Sequence, residues 1–360
     1  MNTYSGNPKS YGSLASAREF LAKHPKARDE IIACLVRIEK EYQPKTDRNL
    51  REDLSGPIVD MLVEANSLHS REVSNGLKFN FRYSSRIARE FLMGQAKIPD
   101  HVWEPQTTRA VVSLSKGAAN VIIGGAYFGD HALFVAKALA ENGHCHCFEL
   151  STENLAILKR NVEENDIKNI VINAEALWST DNVRIELGGD DSHATPKLAH
   201  GDLANTFPSR SIDSYIRSKN LKKVDVIMLD IEGGEFAALQ GANEILNASP
   251  NVAPALICEI HAAYTDWSRG LRHTDLCALL IAKGYEVFAI RDYQGHEAMG
   301  SHPVELVGID NAIISGPPHG FNLLAVKTRA RLDPTVFNFV SNVSPKLLHH
   351  RDQSIHGPLA

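Results

Sequence analysis

The stretch that decides the fold is residues 120–130, with the sequence Asn-Val-Ile-Ile-Gly-Gly-Ala-Tyr-Phe-Gly-Asp. Residues 121–123 are an apolar, β-branched run with the length of a buried strand. A loop with three glycines follows, and the apolar-rich segment 131–139 then has helical character. A strand, a glycine loop and a helix in this order can bring backbone amides against a nucleotide-like ligand. On its own the glycine loop is equally compatible with a structural turn.

The composition excludes several classes of function. The 360 residues are 43% hydrophobic and 22% charged, as in an ordinary soluble globular protein. The net charge of −5 gives no reason to expect a nucleic-acid or membrane partner. No apolar run reaches the length of a membrane span, and the polar N-terminus is not a secretory signal. The five cysteines are thinly spread, so a reducing cytoplasm is the expected location.

Strand and helix patterns alternate from residue 103 onward. Strands are predicted at 121–123, 144–148, 170–173, 226–229, 255–259, 287–290 and 321–326, with helices between most of them. Before them, helices are predicted at 15–22, 28–42, 57–68 and 85–93, and a hairpin at 72–83 around Asn75-Gly76. Residues 1–12 are expected to be a loose arm. The alternation predicts an α/β fold with a largely parallel sheet, whose ligands bind at the carboxyl ends of the strands.

The spacing of the glycines narrows the choice of ligand. They occupy positions 124, 125 and 129, which does not fit a dinucleotide fingerprint and argues against a nicotinamide dehydrogenase. The loop also lacks the lysine of a phosphate-binding P-loop. Glu149 follows the second strand, 20 residues after Gly129, where a carboxylate can accept both hydroxyl hydrogens of a ribose. A solvated surface glutamate is the alternative.

Two longer stretches carry a family resemblance. Residues 148–161, Phe-Glu-Leu-Ser-Thr-Glu-Asn-Leu-Ala-Ile-Leu-Lys-Arg-Asn, and residues 227–235, Ile-Met-Leu-Asp-Ile-Glu-Gly-Gly-Glu, resemble motifs of the FkbM family of S-adenosylmethionine-dependent methyltransferases. Residues 211–215 and 259–261 also resemble parts of that family. The resemblance covers roughly residues 100–327. It implies a Rossmann-like class I methyltransferase sheet, mostly parallel with the last strand antiparallel, and S-adenosylmethionine as the cofactor.

The resemblance also implies a division of the chain. Residues 1–68 would be an N-terminal helical region, 69–330 the methyltransferase domain with its core at 100–327, and 331–360 a C-terminal tail. Whether the N-terminal helices form a homodimer is left open.

Cofactor contacts are implied residue by residue. Gly125, Ala126 and Gly129 would line the methionine moiety, Glu149 would hold the ribose, and Glu175 and Ala176 would lie by the adenine. Leu150 and Asp230 complete the expected cofactor-binding set. The family usually has an acidic residue where this chain has Ile123, and Asp130 is expected to compensate from the start of the next helix.

Two residues are candidates for catalysis. Asp230 lies at the end of the fourth strand, where it would face the sulfonium or the acceptor. His261 follows the fifth strand and has an unperturbed pKa near 6.5, suited to removing a proton from a hydroxyl. A hydrogen-bonded histidine that does not titrate is the alternative. Glu232 and Glu235 begin a helix, where negative charge is favourable for structural reasons alone.

No metal site is expected. Cys145 and Cys147 face one side of a strand and His146 the other, so the three cannot converge on one ion. His296, His302 and His319 lie in the segment before the last strand and either line an acceptor pocket or are solvated.

The sequence therefore predicts a methyltransferase that acts on a hydroxyl of a small molecule, with a polyketide, peptide or sugar acceptor implied by the resemblance. Residues 180–210 and 291–320 would shape the acceptor pocket. N-methylation is one alternative. A non-catalytic cofactor-binding protein with a partner-docking N-terminus is another, because Ile123 occupies the usual acidic position.

Overall fold

The structure is a computed structural model that describes residues 13–94, 100–188, 195–199, 206–317 and 320–360. The arm expected at residues 1–12 and His319 lie outside the described residues. None of the helices in the described ranges is both long enough and apolar enough to cross a membrane.

The described α-helices are mostly short and several begin with a side-chain cap. Ser85, Ser151 and Ser211 each accept a hydrogen bond from a backbone N–H of the first turn, which satisfies a donor that the helix leaves open. The helices are α1 (Leu14–Lys23), α2 (Pro25–Tyr42), α3 (Gly56–Leu62), α4 (Arg86–Met93), α5 (Pro105–Leu114), α6 (Ala132–Ala138), α7 (Thr152–Glu164), α8 (Ile212–Ser218), α9 (Glu235–Gln240), α10 (Asn243–Leu246), α11 (Asp275–Ala282) and α12 (Gln353–His356).

The described strands form one large sheet and two smaller ones. They are β1 (Leu68–Glu72), β2 (Lys78–Arg82), β3 (Asn120–Gly124), β4 (His144–Phe148), β5 (Ile170–Asn173), β6 (Ala176–Leu177), β7 (Arg184–Gly188), β8 (Thr195–Leu198), β9 (Thr206–Arg210), β10 (Val226–Leu229), β11 (Ala255–His261), β12 (Glu286–Ile290), β13 (Val304–Gly308), β14 (Gly320–Val326) and β15 (Phe337–Val340). The large sheet has the order β5-β4-β3-β10-β11-β14-β12-β13-β15, and β5 to β11 in that order are parallel.

The sheet is covered on both faces, as its sequence pattern requires. Val121 and Ile123 pack with α5 and α6 residues in one core cluster, whereas Ile122 packs with α8 and α9 residues in the other. Alternate side chains of a strand point to opposite faces, so a strand buried on both faces is apolar throughout. The α/β fold and the antiparallel arrangement of β14 between β11 and β12 are confirmed.

Several boundaries differ from the prediction. The helix expected at 57–68 ends at Leu62, because Leu68 already pairs with Arg82 in the confirmed hairpin. Between β10 and β11, where the alternation predicts a helix, the chain forms two short helices, α9 and α10, on either side of Gly241. A Cβ there would overlap the carbonyl oxygen of Trp178, so the backbone approaches too closely for a larger residue.

Strands β13 and β15 and the four-stranded sheet of β6, β9, β7 and β8 were not predicted. Strands β7, β8, β9 and β13 contain proline, glycine or charged residues, and β15 is only four residues long and pairs with β13, which is distant from it in the chain.

The segments on either side of the central domain pack against it. Ile32 and Val36 of α2 belong to the same core cluster as Phe79, Phe91 and Phe128. At the other end, the buried guanidinium of Arg291 donates to the carbonyl oxygens of residues 344, 355 and 357. The division into a helical region, a domain and a tail therefore stays a prediction about folding units.

Candidate functional site

A cavity of about 420 Å3 lies at the carboxyl ends of the parallel strands. Strand β3 lies between β4 and β10, and both pairs are parallel. The strands that follow β3 directly, β4 and β5, lie on one side of it, whereas the later strands β10 and β11 lie on the other side. This switch point opens a crevice between the loops that follow the strands. Leu187 of β7 and Pro196 of β8 also line the cavity, as do Gln294 and Pro317. Residues 180–210 and 291–320, which were predicted to shape the acceptor pocket, therefore both contribute side chains to this cavity.

The glycine loop after β3 needs glycine at two points. Gly125 has φ +77°, and a Cβ on it would overlap the carbonyl oxygen of Asp230. Gly129 has φ +96°, and a Cβ there would overlap the Leu133 side chain. Positive φ and close approach both exclude larger residues. The loop is therefore folded tightly against the start of the β10 loop.

The amides of this loop face the protein rather than the cavity. The N–H groups of Gly125 and Ala126 both donate to the carbonyl oxygen of Phe148 at 3.0 Å, and that of Gly129 donates to Ala126. Gly125 lines the cavity, but Ala126 and Gly129 are not among its described lining residues. The sequence suggested amides directed at a ligand. The structure differs because these N–H groups donate to the carbonyl oxygen of Phe148 at the end of β4 and to that of Ala126 within the loop.

Glu149 binds the loop to the end of β4. Its Oε2 accepts from the N–H of Tyr127 at 2.8 Å, and its Oε1 accepts from those of Leu150 and Ser151 at 2.9 and 2.8 Å. Burial raises the pKa of this carboxyl to about 7, although the three N–H groups act in the opposite direction. The side chain of Asn154 also hydrogen-bonds this carboxylate, which has about four lone-pair sites, so a ligand hydroxyl at Glu149 would share them with four internal donors.

The expected adenine side lies at the edge of the same cavity. Leu150, Glu175 and Ala176 all line it. The carboxylate of Glu175 accepts from both Nε and Nη2 of Arg210, at 3.3 and 2.7 Å. This bidentate ion pair holds Glu175 in place and leaves it less able to accept from an exocyclic amine.

Two acidic residues, Asp130 and Glu104, line the cavity, whereas the usual acidic position of the family is occupied by Ile123. Ile123 points into the core, as its burial requires. Asp130 is buried and lines the cavity, and burial raises its pKa to about 7. Glu104, which sequence reasoning missed, reaches the same cavity from the turn before α5 and accepts a 2.7 Å hydrogen bond from Asn322. Its only sequence signal is an acidic residue ahead of a helix-starting proline.

Carboxylates converge where β10 and β11 end. Oxygen atoms of Asp230, Glu232 and Glu259 lie within 4.8 Å of one another. The hydroxyl of Tyr264 is 2.7 Å from Oε2 of Glu259 and 3.0 Å from Oε2 of Glu232. The sequence predicted Asp230 here, whereas the roles of Glu259 and Tyr264 were missed. Oxygen donors at this spacing also suit a divalent cation, although the sequence predicts no metal.

The electrostatics of this cluster favour protonation. Burial, followed by the charges of Glu232 and Glu235, raises the pKa of Asp230. Burial and the charge of Asp230 do the same for the pKa of Glu259. Like charges this close oppose one another's ionisation, so the protonated forms of Asp230 and Glu259 are favoured relative to those of free carboxyls.

Glu235 has a structural role in the same motif. Its two carboxylate oxygens accept from the N–H groups of Ile231 and Gly233, at 2.7 and 3.0 Å. These bonds close the turn in which Glu232 and Gly233 have φ values of +52° and +100°. Glu235 thus fixes the loop that presents Asp230 and Glu232 to the cavity.

His261 lines the cavity next to Glu259, and its Nδ1 accepts a 3.0 Å hydrogen bond from the N–H of Ala263. In the neutral imidazole this arrangement places the proton on Nε2. Nε2 then carries the proton and acts as a donor. It could accept a proton from a substrate only in the other tautomer, which requires the hydrogen bond between Nδ1 and the N–H of Ala263 to break. The geometry suits a residue that orients an acceptor oxygen better than it suits the base.

The structure also places the residues of the Cys145-His146-Cys147 strand and the histidines that precede the last predicted strand. The Sγ atoms of Cys145 and Cys147 are 3.7 Å apart in the core, while His146 on the opposite face contacts Tyr215 and Asn120. Core packing is therefore confirmed. His296 lines a separate, larger cavity, whereas His302 is 3.4 Å from Glu305 and lines neither cavity.

The overall charge of the cavity indicates its ligand. Besides His131 and His261, the charged side chains lining it are one arginine and seven carboxylates: Arg86, Glu104, Asp130, Glu149, Glu175, Asp230, Glu232 and Glu259. A cationic ligand would favour the ionised forms of these groups and offset their mutual repulsion. The charge of the cavity lining therefore favours a positively charged ligand.

Comparison with known proteins agrees with this geometry. Residues 124–287 match the family described as the methyltransferase FkbM domain. The matched stretch includes the glycine loop, Glu149, Asp230 and Glu259, and it excludes the N-terminal helices and the segment after β12. The match thus falls on the family that the sequence resembles and within residues 100–327, where the resemblance was found. A search of curated proteins found no match.

Solved methyltransferase structures are also similar, at low scores. An O-methyltransferase from Bacillus cereus in complex with SAH is 15% identical, with 62% of this chain and 80% of that chain covered and a TM-score of 0.35. A precorrin-6y C5,15-methyltransferase from Geobacter metallireducens GS-15 is 10% identical, with 62% and 89% covered and a TM-score of 0.34. An rRNA methylase from Streptococcus thermophilus is 9% identical, with 64% and 99% covered and a TM-score of 0.34.

Proposed function

We propose that this methyltransferase is an S-adenosylmethionine-dependent O-methyltransferase acting on a hydroxyl of a small molecule of the polyketide, peptide or sugar type. The observation that carries the proposal is the cluster of Asp230, Glu232 and Glu259 beside the glycine loop. A hydroxyl must lose its proton as it is methylated, and these carboxylates provide acceptors for that proton.

The residues present fit the cofactor. Gly125, Glu149 and Ala176 all line the cavity, with Glu149 on the expected ribose side and Ala176 on the expected adenine side. Asp130 and Glu104 are placed to attract the positive charge at the methionine end. When bound, S-adenosylmethionine supplies a methyl group already activated by a sulfonium, so the protein mainly has to align the acceptor oxygen.

Asp230 is the proposed general base. It follows β10 directly, and its backbone N–H donates to the carbonyl oxygen of Gly124, which fixes its position relative to the glycine loop. A carboxylate with a raised pKa is a stronger base than an exposed one. As the acceptor oxygen forms its bond to the methyl carbon and the carbon–sulfur bond breaks, Asp230 takes the hydroxyl proton. The Nε2 of His261 would hold the acceptor in line.

The first experiment measures binding of S-adenosylmethionine by calorimetry, and absence of binding would contradict the proposal. Given binding, Asp230→Asn should reduce turnover about a hundredfold or more, the range for loss of a general base, while cofactor affinity is largely kept. His261→Ala should reduce turnover less. Asp310→Asn at an exposed ion pair with Arg272 is the matched control and should change neither quantity. Unchanged turnover in both site variants would remove the mechanism.

N-methylation is the second candidate within this class. A nitrogen acceptor can react with less help from a base, so Asp230→Asn would then have a small effect. A non-catalytic protein would bind the cofactor and transfer nothing. Identifying the methylated atom by mass spectrometry and NMR of the product distinguishes these outcomes.

A cytoplasmic location and a homodimer through the N-terminal helices are also proposals. All five cysteines are unpaired, as expected in a reducing compartment. Ile31, Ile38 and Tyr42 of α2 are exposed at helical spacing, which supports a self-association face. Light scattering of the full chain and of Ile38→Glu tests the dimer, and an equal mass for both proteins would contradict it.

A further inference from the structure

A second cavity, of about 1160 Å3, adjoins the first. Its walls come from α2 and the turns that follow it, from α4, and from residues 293–298 and 347–353. All of these segments lie outside the stretch that matches the methyltransferase domain. The volume exceeds the roughly 300–1,000 Å3 usual for small-molecule pockets, so the cavity can hold more than a single small metabolite.

The two cavities meet at Arg86 and Gln294, which line both of them. Arg86 begins α4, and its Nε is 3.0 Å from Oε1 of Glu52. Gln294 donates from Nε2 to the carbonyl oxygen of Gly320, the residue paired with His261 across β11 and β14. Protein contacts hold both side chains at this junction. Arg86 and Gln294 therefore lie between the second cavity and the first, which Asp230 lines.

The walls of the second cavity are held by internal ion pairs. Arg51 donates to both carboxylate oxygens of Glu39, at 2.6 and 2.8 Å, and also to Glu90. Arg51 is mostly buried, and these partners satisfy much of its donor capacity. Its charge is therefore neutralised within the wall rather than presented to a ligand.

The charge of the second cavity differs sharply from that of the first. Five Lys or Arg side chains and six carboxylates line it, against one arginine and seven carboxylates in the first cavity. Near balance of charge, with donors and acceptors of both kinds, suits an uncharged ligand rich in groups that both donate and accept. Hydroxyls are such groups.

An aromatic pair adds a second recognition element. The rings of Tyr293 and His349 stack with centroids 4.5 Å apart and planes 19° from parallel. The side chain of His349 is about half exposed, so one face of the pair is open to a ligand. The negative face of an aromatic ring attracts the polarised C–H groups of a sugar ring.

We propose that the second cavity is the acceptor chamber, and that it takes an uncharged, hydroxyl-rich chain such as an oligosaccharide, whose end passes Arg86 and Gln294 to reach Asp230. The inference rests on the proposed function for the identity of the reaction. It makes the N-terminal helices and the C-terminal segment the determinants of acceptor choice.

Saturation-transfer NMR with a mixture of neutral tetrasaccharides, malto-, cello- and chitotetraose, tests the proposal on the full chain. Wild-type protein should saturate at least one of them. Ala298→Trp places an indole in the second cavity from an exposed position and should weaken that binding about tenfold or more, a loss of about 1.4 kcal/mol. Ala330→Trp, also exposed but lining neither cavity, is the matched control.

His349→Ala should also weaken saccharide binding, because it removes the exposed ring of the aromatic pair. No saturation of any tetrasaccharide, or equal saturation with wild type and Ala298→Trp, would overturn the proposal. Stronger saturation of quercetin or of tetragalacturonate, lost in Ala298→Trp, would overturn the neutral saccharide class. Calorimetry with S-adenosylhomocysteine on the same samples separates the two proposals, since its failure defeats the methyltransferase mechanism without affecting the saccharide signal.

Discussion

The phenol hydroxyl of Tyr264 donates a hydrogen bond of 2.7 Å to Oε2 of Glu259. This contact connects the end of β11 to the turn after it, at the point where the carboxylates of the site converge. The Tyr264 hydroxyl donates to a half-buried carboxylate with acidic neighbours, and this hydrogen bond stabilises the ionised form of Glu259. The acid–base behaviour of the site therefore depends on a residue outside its recognisable motif.

Replacing Tyr264 with phenylalanine should raise the pKa of Glu259 further, because its ionised form loses this donor while the site stays buried. The acid limb of the turnover profile should move to higher pH, by roughly one unit if the lost bond contributes about 1.4 kcal/mol. Turnover measured from pH 5 to 9 checks this. Tyr285→Phe is the control, since that buried hydroxyl has no partner among the described residues. A profile identical to wild type would contradict the role of Tyr264.

Glu149→Gln should weaken cofactor binding and stability together. The amide group replaces one carboxylate oxygen by a donor, so at least one of the N–H groups of Tyr127, Leu150 and Ser151 loses its acceptor. Leaving a buried donor unpaired costs about 1–3 kcal/mol. Calorimetry with S-adenosylhomocysteine and urea unfolding measure the two effects. Glu175→Gln, at the ion pair with Arg210, should have a smaller effect on affinity.

Asp130→Asn should become more stabilising as the pH rises. The pKa of Asp130 is raised from 3.8 to about 7 in the folded protein, so folding opposes its ionisation. The stability that the protonated Asp130 contributes is fully present below the pKa of 3.8 that it has in the unfolded chain. This contribution declines as the pH rises above about 4 and is lost as the pH passes the folded-state pKa of about 7. The variant should exceed wild type by a few kcal/mol at pH 8, since one pKa unit is about 1.4 kcal/mol. Urea unfolding without cofactor at pH 5 and pH 8 gives the comparison, and a pH-independent difference would refute it.

Arg291→Met should destabilise the protein strongly. Arg291 is fully buried, pairs with Glu305 and donates to three backbone carbonyls of the C-terminal segment. Removing one partner of a buried ion pair costs about 3–5 kcal/mol. Adding Glu305→Gln should recover part of the loss in urea unfolding. Arg329→Met, at an exposed pair with Glu286, should cost less than about 1 kcal/mol.

A chelator should leave turnover unchanged, because the sequence predicts no metal and the hydroxyl of Tyr264 already contacts Glu232 and Glu259. Assays after dialysis against EDTA, with and without added Mg²⁺, test this. Loss of turnover that Mg²⁺ restores would instead assign a cation to the three carboxylates.

The sheet was largely predictable because buried parallel strands are short apolar runs. Residues 121–123, 226–229 and 255–259 carried that pattern, and each became a strand of the central sheet. Strands β13 and β15 were missed because β13 contains a buried glutamate, Glu305, whose charge is satisfied by Arg291 and the C-terminal backbone. No local pattern reveals a partner that distant in the chain.

The sequence by itself determined the order of the central strands and their helices, the resemblance that residues 124–287 bear out, and the position of Asp230 and Glu149 at strand ends. Those features are local, because strand length, glycine position and side-chain alternation are set by neighbouring residues. Only the tertiary structure decided that the loop amides face inward, that Glu104 and Tyr264 join the site, and that a second cavity adjoins it. Each depends on contacts between residues remote in the chain, where burial and charge, rather than local pattern, set the outcome.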